Sequence, residues 1–147
     1  MSNAERLIGV LASVFSLDEV VFDEAAVERM TGALEPITSD RVVTLMVGPD
    51  SSFVGTYPGV DGLRDAWADW LGTWATVRFE FEGMEEHGDN IVTFGRQIGT
   101  SRTGGVELVQ PSAAVWKFRD GLIERIEFHL DRGRAAASAR EPLSDEP

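Results

Sequence analysis

Four polar side chains stand among apolar neighbours in the second half of the chain, Arg96, Gln110, His129 and Asp131, and they are the residues with which chemistry could be done. His129 and Asp131 lie two apart in a strand-like segment and share a face, so an imidazole and a carboxylate could act on one bound molecule. Such a pair works as acid and base when burial moves a pKa toward neutrality beside an electrophilic group. Arg96 interrupts the apolar series Val92, Phe94 and Ile98, where a guanidinium could hold an enolate or carboxylate by charge-assisted hydrogen bonds. Gln110 would then orient a carbonyl. Structural roles compete for the same residues. An aspartate closing a last strand also caps a following helix, and an arginine facing Asp131 or Glu107 also forms a plain ion pair.

The elements that must position these groups follow from periodicity. Leu7, Ile8, Leu11, Ala12 and Phe15 recur at helical spacing, and Val27, Met30 and Leu34 do so again after the acidic break at Asp23 and Glu24. Pro36 stops the second helix, and Asp40 is expected in a turn before a strand from Arg41 to Val47. A second short strand, Ser51 to Tyr57, returns after the turn at Gly48, Pro49 and Asp50. Asp61 and Gly62 start a third helix, Leu63 to Trp74, with Leu63, Trp67, Trp70, Leu71 and Trp74 on one stripe. Tryptophans at this spacing serve the core, and those near a cavity mouth form flat walls for an apolar ligand.

Beyond Trp74 the period falls to two. Phe79 and Phe81 alternate with Glu80 and Glu82, and residues from Glu85 to Asn90 form a turn holding His87. In the next segment Val92, Phe94, Arg96 and Ile98 oppose Thr93, Gly95, Gln97 and Gly99. A long strand places Val106, Leu108, Gln110, Ser112, Ala114, Trp116 and Phe118 on one side, with Pro111 suggesting a bulge, and Asp120 and Gly121 form a tight turn. In the last strand Ile126, Phe128 and Leu130 oppose Arg125, Glu127, His129 and Asp131, and alternation leaves open which face looks inward. Residues 1–135 read as one domain, and 136–147 as a flexible acidic tail after a short alanine-rich extension.

Composition narrows the function. The 147 residues fit one domain able to enclose a core and a ligand-sized cavity. A formal net charge of -12 with scattered Lys and Arg argues against a nucleic-acid partner and against an anionic membrane surface. Zero cysteines and two histidines, His87 and His129, argue against structural zinc, and no other metal or cofactor is expected. With neither a signal-like amino terminus nor an apolar run of about 18 residues, a cytoplasmic protein is expected.

Helices followed by a long meander define an α+β arrangement. The stretch Tyr57-Pro58-Gly59-Val60-Asp61-Gly62-Leu63-Arg64, the turn Gly88-Asp89, the strand with Arg96, the hairpin Phe118-Arg119-Asp120-Gly121 and the ending His129-Leu130-Asp131 resemble the SnoaL-like polyketide-cyclase branch of the NTF2-like superfamily. The resemblance runs from about Asp40 onward. It implies a cone-shaped α+β barrel with N-terminal helices packed on a strongly curved mixed or antiparallel sheet, a deep pocket, and a homodimer through the outer face of the sheet. Val109, Ala113 and Val115 give that face the apolar character a dimer would cover. The activity implied is cofactor-independent acid–base chemistry of the cyclase, isomerase or epoxide-hydrolase type on a lipophilic carbonyl or epoxide compound. In that scheme Asp131 is acid and base, His129 its partner and Arg96 the anion stabiliser. Tyr57, Trp67, Trp70, Trp74, Phe94, Gln110 and Trp116 then contact a hydrophobic small molecule. The alternative is a non-catalytic ligand-binding or dimerisation module. The catalytic sets of better-known relatives do not transfer whole: Arg96 is followed by Gln97 and Ile98 rather than by an aspartate two residues on, and Gly48-Pro49 stand where an isomerase base would fall.

Overall fold

A computed structural model of the chain describes residues 2–14, 20–21, 23–47, 53–72 and 74–143. Helices α1 (Asn3–Val14) and α2 (Glu24–Leu34) flank a short strand β1 (Val20–Val21). Asp23 starts α2 by accepting the Ala26 N–H at 2.9 Å, which satisfies one of the open donors of the first turn. Pro36 falls in a single 3-10 turn, Glu35–Ile37, and the chain then enters β2 (Thr38–Val47). Asp40 therefore lies within a strand rather than in a turn before it, at the irregularity where the β2–β7 register shifts between Thr38 and Val43. Phe15, Ser51 and the turn at residues 48–50 fall outside the described residues.

Strand β3 (Phe53–Pro58) leads directly into α3 (Gly59–Leu71). Pro58 takes the N-cap position, and the helix begins at Gly59, two residues before the expected start at Asp61. Gly62 is required where α3 turns back over β3, since a Cβ there would stand 2.6 Å from the Tyr57 carbonyl carbon. The helix ends at Gly72, so Trp74 does not continue the tryptophan stripe but opens β4 (Trp74–His87). Strands β5 (Asn90–Ser101), β6 (Glu107–Arg119) and β7 (Leu122–His129) complete the meander. His87 belongs to β4, and the turn shrinks to Gly88 and Asp89. The β6–β7 hairpin turns at Asp120 and Gly121, whose φ values of 53° and 80° give the twist that suits right-handed strands. Pro111 causes no bulge: the β5–β6 register runs unbroken from Ile91 with Trp116 to Thr100 with Glu107. The β6–β7 pairing begins only at Ala113, so the missing proline N–H falls outside that ladder.

The sheet order is β1-β4-β5-β6-β7-β2-β3, antiparallel except where β2 lies parallel to β7. It is mixed and open, a curved sheet with helices packed in its concavity. Cross-strand register fixes the two faces. Phe79, Gln97 and Gln110 stand opposite one another, as do Thr93, Ala114 and Phe128, and these point toward α1, α2 and α3. The main core joins Leu7, Leu11, Met30, Leu34, Leu63 and Trp67 to Ile91, Trp116, Ile126 and Phe128. Each buried side chain of this size contributes about 1.5–3 kcal/mol.

A smaller apolar cluster, Val92, Ala113, Val115, Ala135 and Ala139, lies on the opposite face beneath α4 (Arg132–Ala139). Helix α4 crosses residue 135, after which the sequence suggests a tail, and Ala139 is fully buried. Asn90 Nδ2 donates to the carbonyls of Ala139 and Glu141, and Lys117 Nζ donates to that of Glu141. Ala113 and Val115, expected at a dimer face, are covered within the same chain, while Val109 remains exposed.

Candidate functional site

Between α3 and the concave face lies a cavity of about 60 Å³, room for a few waters. Its walls include Trp67 and Trp70 from α3, Phe79 from β4, Thr93 and Gln97 from β5, and Trp116 and Phe128 from the last two strands. The aromatic rings support one another. Phe128 lies 4.8 Å from Trp67, 5.4 Å from Trp70 and 6.5 Å, edge to face, from Trp116, within the range where such pairs add to simple burial. Space remains because the sheet carries no bulk at its middle. Gly95 faces Ser112 across the strands, and a Cβ on Gly95 would approach the Glu80 carbonyl to 2.5 Å.

The polar side chains on the concave walls, Thr93, Gln97 and Ser112, are uncharged. Thr93 Oγ1 accepts the Trp116 indole N–H at 3.1 Å and donates to the Ala114 carbonyl, which fixes the indole. Gln97 is 2% exposed, and its Oε1 makes no hydrogen bond among the described residues. Glu80 and Arg96 border the cavity at its rim, where they form an ion pair with each other, and Arg78 lies 3.6 Å from the same carboxylate. A wider groove adjoins, lined by Trp70, Trp74, Leu108, Val109, Gln110, Pro111 and Leu130. Trp70 is common to both.

Arg96, His129 and Asp131 are not brought together around this cavity. Ile126 and Phe128 take the concave face of β7, which turns His129 to the opposite side. There His129 Nε2 meets Glu127 Oε1 at 2.7 Å, and both are buried under α4. Arg125 and Ser138 donate to the same carboxylate at 2.6 and 2.7 Å. Burial pushes the Glu127 carboxyl up, but the hydrogen bonds from His129, Ser138 and Arg125 and the Arg125 charge outweigh it and hold the pKa down at about 2. Lys117 beside it is lowered, chiefly by burial. Asp131 is exposed and caps α4, accepting the Arg134 N–H at 3.0 Å. Arg96 projects from the convex side to Glu80, because alternation along β5 puts it opposite Gln97.

Trp67, Trp70 and Trp116 line the cavity, and Trp74 and Gln110 line the groove. Phe94 borders the cavity while packing against the cluster under α4. Tyr57 stands apart on β3, donating to Asp69 Oδ2 at 2.6 Å, which together with partial burial and the nearby Asp69 and Asp65 charges raises its pKa to about 12. Sequence reasoning passed over Thr93, Gln97, Ser112 and Phe128. The available signal was the series Thr93, Gly95, Gln97, Gly99: a strand face poor in bulk looks solvent-facing, yet a wall that leaves room for a cavity has the same appearance.

Helices packed on a curved, open mixed sheet make this an α+β cone fold of the NTF2-like class. The SnoaL-like domain profile matches residues 18–126, and the chain belongs to that family. Among solved structures, a protein of Jannaschia sp. CCS1 assigned to the SnoaL-like polyketide cyclases matches over 96% of this chain and 93% of its own, at 12% identity and a TM-score of 0.68. An NTF2-like protein of Burkholderia thailandensis E264 matches over 97% and 99%, at 21% identity and 0.65. TerC, co-crystallised with polyporic acid, matches over 94% and 97%, at 20% identity and 0.60. At these identities the likeness is one of fold. No match is found among the curated proteins. No helix among the described residues is long and apolar enough to cross a membrane.

Proposed function

We propose that this protein binds a neutral, mainly apolar small molecule in the concavity beneath α3. The observation that carries this reading is the aromatic cavity sharing Trp70 with an open groove, its charged residues Glu80 and Arg96 paired with each other at the rim. The crystallisation of TerC, a neighbour in fold, with polyporic acid supports use of the fold for organic ligands. In this reading His129 and Asp131 serve α4, and the net charge of -12 keeps anions away while leaving a neutral molecule unaffected.

A second reading, acid–base turnover of the cyclase type, is favoured by one observation: Glu80 and Arg96 stand at the cavity rim. A neutral ketone or lactone turned over by the native protein and not by Glu80→Gln would select it. The binding reading is tested by thermal unfolding against neutral lipophilic ketones, epoxides, lactones and alcohols. A ligand at about 100 times its dissociation constant adds about 2.7 kcal/mol, or roughly 5–10 °C for a chain of this size. A library in which no compound moves the transition would contradict it.

A further inference from the structure

Gln97 carries a feature of the cavity that packing does not explain. Its amide is 2% exposed on the concave face, between Phe79 on one neighbouring strand and Gln110 on the other, and Oε1 has no partner among the described residues. A buried carbonyl oxygen left without a donor is costly, and natural structures seldom leave one. The surrounding groups do not relieve it. The Trp116 N–H is committed to Thr93, the Thr93 hydroxyl to the Ala114 carbonyl, and a terminal nitrogen of Arg96 to Glu80, on the strand position that alternation sets opposite to Gln97. The cavity thus offers an unpaired acceptor, with Arg96 at the rim engaged by Glu80, and a space of about 60 Å³ that suits a slender polar head.

We infer that Gln97 selects ligands by accepting a hydrogen bond from a hydroxyl or N–H group at the end of an apolar chain, so that the ligand class is neutral donors such as lipophilic alcohols or amides. This rests on the binding reading above and specifies the head group that enters the cavity. The head seats against Gln97 Oε1, and the tail leaves past Trp70 toward Trp74, Leu108 and Leu130 in the groove. An ether of equal size fills the same space but leaves the amide oxygen unpaired, and so binds more weakly.

Two isomeric probes separate head-group chemistry from hydrophobicity: 1-octanol, which has a donor, and heptyl methyl ether, which has none. Titrating the native protein with each by calorimetry should show the alcohol binding at least about tenfold tighter. In Gln97→Met, where an unbranched thioether replaces the amide, the two affinities should converge through weaker binding of the alcohol. Equal affinities for the native protein would overturn the inference and leave the binding reading standing, and need no variant to fold. A preference for the alcohol that persists in Gln97→Met would also overturn it, by placing the acceptor elsewhere. Binding of neither probe, with no compound in the thermal screen active, would remove the binding reading and this inference with it.

Discussion

Replacing Glu127 by Gln tests whether the polar cluster under α4 is a stabilising device. Its carboxylate is 2% exposed, and its pKa is displaced from 4.5 to about 2 by donors from His129, Ser138 and Arg125. At about 1.4 kcal/mol for each unit of pKa, the charged form contributes about 3 kcal/mol to folding. The sign follows from the direction: a carboxyl group more acidic when folded stabilises the protein above its unfolded pKa, and loses that contribution as pH falls from about 4.5 to about 2. Glu127→Gln should therefore lower stability at about pH 7 by about 3 kcal/mol, equivalent to roughly 6–12 °C in Tm. Urea denaturation of both proteins at descending pH should show the gap narrowing below about pH 4.5. A variant within about 1 kcal/mol of the native protein at neutral pH would refute the reasoning, as would a gap independent of pH.

Three further outcomes follow from named contacts. Tyr57, the single tyrosine, should titrate near 12 by ultraviolet absorbance, since its donor bond to Asp69 holds the proton; a midpoint near 10 would show that the bond is absent in solution. The part of stability linked to that proton is present below about pH 10 and lost as pH rises through about 12. Removing residues 132–147 should uncover Val92, Ala113 and Val115 and drive self-association, read as mass by light scattering, whereas a folded monomer would show that α4 is not needed to shield that face. Asp131→Ala should cost about 1 kcal/mol through loss of the α4 cap and leave ligand affinity unchanged. A large loss of affinity would return Asp131 to the site.

The fold was legible wherever period and turn chemistry agreed. Asp120 and Gly121 announced the last hairpin, and the alternation from Phe79 through Leu130 laid out the meander. Boundaries failed where a neighbour overrode a local signal: Gly72 ends α3 before Trp74, and Ala139 is buried in what composition marks as a tail. The site was less legible because a sheet has two faces and a single strand does not reveal which one a helix will cover. His129 and Phe128 could not both face the cavity. The choice depended on α4, whose alanine-rich sequence does not announce that Ala135 and Ala139 will cover Val92, Ala113 and Val115. That cover makes the Val92 end of the Arg96 face an interior too, so apolar residues on both strand faces marked two cores rather than one pocket.

The most direct test of the central claim fills the cavity and asks whether binding disappears. Ser112 lines it opposite Gly95, so Ser112→Leu should occupy the free volume without meeting a bulky cross-strand neighbour. Titrating native and variant proteins with 1-octanol, with the folding of both verified by urea denaturation, should show binding lost in a variant that remains folded. Undiminished affinity in the folded variant would place the ligand outside the concavity and contradict the assignment of function made from it.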